Sequence, residues 1–160
     1  MFVLGIDPGL STTGYGLVEG RHPPRAIRAG VIRSDKTASM AMRLAEIHEG
    51  LTDLIRETQP DVIALETVFT NRNLQTAISV GRASGVAMVA AANAGISVFE
   101  YVPTAIKAAI TGDGSANKDQ MQRMLTQLLG LEEPPRPADA ADALAIALCH
   151  LRAAPVEVGR

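Results

Sequence analysis

The sequence predicts an α/β fold built on a five-stranded mixed sheet, three antiparallel strands followed by two parallel ones, flanked by helices. Three observations carry this. Short apolar runs at residues 2–7, 61–66 and 96–101 read as buried strands. The runs at 2–7, 15–19 and 25–33 follow one another across short turns, as in an antiparallel meander. A helix-length amphipathic segment separates the third run from the fourth, so the fourth returns parallel to the first by the βαβ crossover rule.

Composition narrows the function. A chain of 160 residues, 47% hydrophobic, suits one domain, here placed at residues 1–152 with 153–160 as a frayed, flexible tail. Fifteen Lys and Arg stand against 17 Asp and Glu, a net charge of −2. A simple electrostatic nucleic-acid binder would be basic. An enzyme whose acids hold divalent cations need not be, because the bound ions reverse the local field. The lone Cys149, set among Ala, Leu and Ile, excludes an internal disulfide and a cysteine-rich zinc site and reads as a small core residue. A basic leader followed by an apolar stretch is missing, and no apolar run approaches the ~18 residues of a membrane span. The expectation is a soluble cytoplasmic protein with no membrane association.

The first strand ends in Asp7, and Pro8-Gly9 then opens a tight turn. A carboxylate at the end of a buried strand is costly unless paired. It either meets a cation or hydrogen-bonds the turn amides, as Asx residues do. Residues 39–58 form an amphipathic helix whose Leu44, Ile47, Leu51, Leu54 and Ile55 make one apolar stripe, ended by Pro60. The run at 61–66 also ends in a carboxylate, Glu66. In open α/β sheets ligands gather at the carboxyl ends of strands, so Asp7 and Glu66 are expected side by side.

Residues 67–72 form a loop carrying Phe69 and Arg72, with Phe69 either anchoring the loop on the core or offering a stacking surface for a base. A long helix at 73–94 is apolar on most sides and rich in Gly and Ala, with Gly95 as its left-handed terminator. It is expected to cover the sheet with one face and either bury the other within the monomer or offer it to a second subunit. After the fifth strand, Pro103 opens a short helix bearing Lys107. Asn117-x-x-Gln120 resembles a capping box at the start of the next helix. Pro134-Pro-Arg-Pro137 is a stiff connector.

The last helix begins near Ala138 with Asp139-Ala-Ala-Asp142, two acids spaced i, i+3 on one face. They either complement the helix dipole or join a ligand site, for which the neighbouring alanines leave room. Asp7, Glu66, Asp139 and Asp142 together suit hard cations with oxygen ligands, chiefly Mg²⁺ or Mn²⁺. Two such ions about 4 Å apart activate water and stabilise the leaving oxygen in phosphodiester hydrolysis. Arg72, Arg82, Lys107, Lys118 and Arg123 are available for phosphates.

Five ordered blocks carry a resemblance over about residues 1–152: Ile-Asp7-Pro-Gly-Leu with Gly-Tyr-Gly16, Leu65-Glu66-x-Val-Phe69, Gly81-Arg-Ala-x-Gly85-Val-Ala, the 107–118 segment, and Asp139-Ala-Ala-Asp142-Ala-Leu-Ala. In these the chain resembles the RuvC family, the bacterial Holliday junction resolvases. The resemblance implies a ribonuclease H-like fold. It implies a homodimer that resolves four-way junction DNA in recombination and repair by paired symmetric nicks, leaving 5′-phosphate and 3′-hydroxyl ends. It places the family's metal-binding, catalytic acids on Asp7, Glu66, Asp139 and Asp142, holding two Mg²⁺ ions for which Mn²⁺ substitutes. Its DNA-contacting aromatic falls on Phe69 and its functional lysines on Lys107 and Lys118. It also implies partnership with the RuvA–RuvB branch-migration machinery.

Two related folds are set aside. A YqgF-type nuclease, which acts on RNA, fits less well, because the Val-Phe69 loop and the Asp-x-x-Asp helix favour the RuvC family. An actin- or hexokinase-type ATPase needs a second related domain. A non-catalytic junction binder would not require four carboxylates beside a polyanion.

Overall fold

The computed structural model describes residues 1–67 and 73–153. Five strands, β1 (Phe2–Asp7), β2 (Thr12–Glu19), β3 (Arg25–Arg33), β4 (Val62–Glu66) and β5 (Ser97–Tyr101), form a sheet in the order β3-β2-β1-β4-β5. The β1–β2 and β2–β3 pairs are antiparallel, and β1–β4 and β4–β5 are parallel. This is the expected mixed sheet. Helices α1 (Met40–Thr58) and α2 (Leu74–Asn93) cover one face; α3 (Pro103–Thr111), α4 (Lys118–Leu128) and α5 (Ala138–Ala153) lie on the other.

The two-residue period of a strand divides β1 cleanly between the layers. Leu4 and Ile6 pack with Ile47, Leu51, Leu54 and Ile55 of α1, while Val3 packs with α3, α4 and α5. In β4, Ile63 and Leu65 join the α1 side and Ala64 the α5 side. By the same alternation Asp7 and Glu66 fall on the α5 side. The register places Ile6 opposite Leu65, so the two acids end neighbouring parallel strands level with each other.

The helix boundaries follow local chemistry. Ser39 caps α1 through the Met42 amide. Gln59 closes α1 with a left-handed φ of 45°, and Pro60 prevents continuation. Gly95 adopts φ 71° after α2, and the Ile96 amide donates back to the Ala91 carbonyl at 3.0 Å. This ties Ile96 to the helix cap, so β5 starts at Ser97, one residue later than the apolar run suggests. Asn117 and Gln120 form the reciprocal capping box, both bonds 2.9 Å.

β2 differs more. It begins at Thr12, not Tyr15, because Thr12, Thr13 and Gly14 already pair with Arg33, Ile32 and Val31 of β3. Glycine is a poor strand former, which hides this start from a reading based on propensity. The long helix α2 buries Ala83, Ser84, Ala87, Ala90 and Ala91. Its opposite side leaves Leu74, Ile78 and Val89 exposed, so burial within the monomer covers only one face. Of the expected tail, residue 153 still belongs to α5, and residues 154–160 lie outside the described set.

Candidate metal centre

The site lies at the carboxyl end of β1, where α5 crosses the sheet. Helices rest on a sheet through side chains, which normally keep the backbones well apart. Here the strands have none at the crossing. A methyl group added at Gly5 would overlap the Ala143 carbonyl and crowd the Ala147 amide; one at Gly14 would overlap the Asp139 carbonyl; one at Gly16 would strike Leu144. The helix answers with alanine: Ala140, Ala143 and Ala147 are fully buried. These alanines therefore make room for the sheet and not for a ligand, contrary to the expectation above. Glycine within a strand commonly marks such a close approach, and Gly14 and Gly16, two apart on one face of β2, are the signal the sequence carried.

This approach assembles the acids. Asp7 pairs with Gly14 across the β1–β2 ladder, and Gly14 abuts Asp139. Carboxylate oxygens of Asp7, Asp139 and Asp142 lie within 4.8 Å of one another. Oxygens bound to a single hard cation at about 2.1–2.5 Å fall within about 5 Å of each other, so these three fit one ion. An all-carboxylate donor set selects a hard cation over zinc or copper. Glu66 is outside that tight group, but its charge is felt at Asp7.

The electrostatics match a site built for positive charge. The Asp7 carboxyl is pushed up to about 7, first by burial and then by Asp142, Glu66 and Asp139; Lys118 pulls it back. Asp142 stands at the open mouth and is also raised, chiefly by partial desolvation, with Lys118 opposing and Asp139 adding. Mutual repulsion of this kind is relieved by a shared proton or a cation. Lys118 is the first residue of α4, held there by the capping box, and its charge reaches both acids. Lys107 is half-buried on α3, and Arg82 and Arg123 are exposed on α2 and α4. Phe69 and Arg72 lie outside the described residues.

Cys149 is fully buried among the α5 core residues, and burial raises its thiol to about 11, which leaves it inert.

The family model described as crossover junction endodeoxyribonuclease RuvC matches residues 3–150. The chain belongs to the RuvC family. A RuvC from Salinispora arenicola is 50% identical over 94% of this chain and 87% of its own length. One from Moorella thermoacetica is 49% identical over 97% of this chain and 93% of its own. Among solved structures, Thermus thermophilus RuvC in complex with a Holliday junction substrate superposes with a TM-score of 0.90 at 37% identity, covering 95% of this chain and 93% of that one. A yeast mitochondrial Holliday junction resolvase, 15% identical with a TM-score of 0.65, shares the fold. RuvC structures have the ribonuclease H-like architecture, and the sheet order and flanking helices here match it. No helix among the described residues is long and apolar enough to cross a membrane.

Proposed function

We propose that this chain is a structure-selective, metal-dependent endonuclease that resolves Holliday junctions in recombination and DNA repair. The single observation that carries the chemistry is the convergence of Asp7, Asp139 and Asp142 from opposite ends of the chain to within 4.8 Å. Family membership across residues 3–150 carries the substrate.

In this reading Asp7, Glu66, Asp139 and Asp142 hold two Mg²⁺ ions, with Mn²⁺ a working substitute. Ions bound there supply Lewis acidity and an activated water for in-line attack on the phosphate. The protein's own contribution is placement. Two neighbouring strand ends and one helix turn present acids whose repulsion favours cation entry. Lys118 offsets part of the negative field at the mouth, where a DNA phosphate must approach. Phe69, by its place in the family's motif after Glu66, and Lys107 are assigned to the DNA, with Arg72 a cation available to its phosphates.

Paired symmetric nicks, leaving 5′-phosphate and 3′-hydroxyl ends, require a two-fold enzyme on a two-fold junction. The homodimer reading is supported by α2. Leu74, Ile78, Gly81, Gly85 and Val89 recur at spacings of three and four along one exposed helix face, with open space beside both glycines. Cooperation with RuvA–RuvB and a cytoplasmic location follow from the same reading of the family.

The test is a labelled four-way junction incubated with Mg²⁺. Symmetric nicks that a ligase seals directly support the proposal. Inertness on the junction with either Mg²⁺ or Mn²⁺, or nicking that ignores junction structure, overturns it.

A further inference from the structure

We infer that Arg43 of α1 is a positioning residue for the metal centre, acting through the turn that follows Asp7. In the turn between β1 and β2, residues 8–11, the carbonyls of Gly9, Leu10 and Ser11 are engaged one after another. Gly9 accepts from the Thr13 hydroxyl at 2.7 Å. Leu10 accepts from the Ser34 hydroxyl at 2.5 Å. Ser11 accepts from the Ser34 amide at 3.2 Å. One guanidinium links these contacts. Arg43 donates from Nε to the Ser34 hydroxyl at 3.0 Å and from Nη2 to the Ser11 hydroxyl at 2.9 Å. Ser34 is buried and Arg43 half-buried, so the contacts are shielded from competing water.

The geometry has a consequence for the site. Asp7 is the last residue of β1, and the segment after it is the one the strap fixes. On its other side Asp7 is held by pairing with Gly14. Arg43 therefore fixes, from the α1 layer, the free side of a ligand whose partners Asp139 and Asp142 come from the α5 layer. A planar guanidinium presents its donors in a fixed fork, so it loses less freedom per hydrogen bond than a lysine ammonium on a flexible stem. A ligand held within a few tenths of an ångström of its bound position loses less freedom on binding the ion. Arg43 thus raises metal affinity without touching metal or substrate.

This inference rests on the reading of Asp7 as a metal ligand, and the experiment separates the two. Mn²⁺ is titrated calorimetrically into the purified full chain and into Arg43→Gln, Arg43→Lys, Ser11→Ala and Asp7→Asn. Arg43→Gln is expected to weaken Mn²⁺ binding about 10-fold, at the low end for a residue supporting a ligand from outside the coordination shell. Junction cleavage should recover toward the parental rate at saturating Mn²⁺. Arg43→Lys, which keeps the charge but lacks the fixed fork, stays impaired. Ser11→Ala weakens binding less, in the same direction, and adds nothing when combined with Arg43→Gln. Parental Mn²⁺ affinity in a folded Arg43→Gln, with only a lower melting temperature, overturns the inference; if that variant does not fold, parental affinity in Ser11→Ala does so. Asp7→Asn retaining full Mn²⁺ binding would instead overturn the ligand reading beneath it.

Discussion

Gly14 lies directly beneath the Asp139 carbonyl and is also the strand partner of Asp7. One missing side chain thereby joins the first strand of the chain to its last helix. Where most sheets hold a helix off by a layer of side chains, this one admits it, and the distance between two carboxylates is set by that admission.

Gly14→Ala tests this relationship. The added methyl would overlap the Asp139 carbonyl and crowd its Cβ, so α5 must shift. We expect a loss of about 1–3 kcal/mol in stability, as for overpacked cores, and a larger proportional loss in Mn²⁺ affinity as Asp139 moves from Asp7. Urea unfolding and metal titration on the same preparation check both. A variant with parental metal affinity would show that the approach of α5 is not what sets the site.

Asp7→Asn should abolish junction cleavage yet stabilise the metal-free protein. It removes the charge that burial and three neighbouring acids oppose. The gain is on the order of 2 kcal/mol near neutral pH, after allowing for water at the site mouth. Thermal melts in a chelator, beside a junction-binding assay, measure it; junction binding should persist.

The pH dependence of that gain has a definite sign. The folded Asp7 carboxyl titrates near 7 and its ordinary value is 3.8. Between these values the folded protein holds a proton that the unfolded chain has released. Metal-free stability therefore falls as pH rises from about 4 through 7. The melting difference between Asp7→Asn and the parent should be near zero at pH 4 and grow to its full size by pH 8. Saturating Mn²⁺ should restore the parent alone. A difference that does not vary with pH would contradict the assigned cause.

Lys118→Ala removes a cation whose field lowers both Asp7 and Asp142. Cleavage should slow at all metal concentrations, and the decline of metal-free stability, which still begins near pH 4, should extend to higher pH. Lys118→Arg, keeping the charge, should retain the pH profile. An unchanged cleavage rate in Lys118→Ala would remove it from the site.

Ile78→Asp and Val89→Asp place charges on the exposed face of α2, away from the acids. If a second copy covers this face, either change should yield a monomer by sedimentation and abolish paired nicking while leaving the fold intact by circular dichroism. A dimer that survives both would assign the face elsewhere.

Element type and order were legible because their causes are local. Short apolar runs marked β1 and β4, the Leu and Ile stripe marked α1, and Asn117 with Gln120 announced α4. Asp7, Asp139 and Asp142, whose carboxylates the fold brings together, stood out as candidates for a related reason: a carboxylate ending an apolar strand, or set in an Ala-rich turn, conflicts with its surroundings. The beginning of β2 was not legible, since it follows directly on the Pro8-Gly9 turn and is interrupted by Gly14, and its pairing with β3 is what makes it strand. Nor was the strap, since Arg43, Ser34 and Ser11 belong to different elements and each is unremarkable in its own segment.

The sequence by itself determined which residue types stand at the strand ends and which face of each helix is apolar, because periodicity and capping act within a few residues. Only the tertiary structure decided that Asp139 reaches Asp7 and that Arg43 grips the turn beyond it. Those contacts depend on how closely two backbones can approach and on which donors the packed layers bring face to face. Both are properties of the packed layers and leave little trace in any single segment.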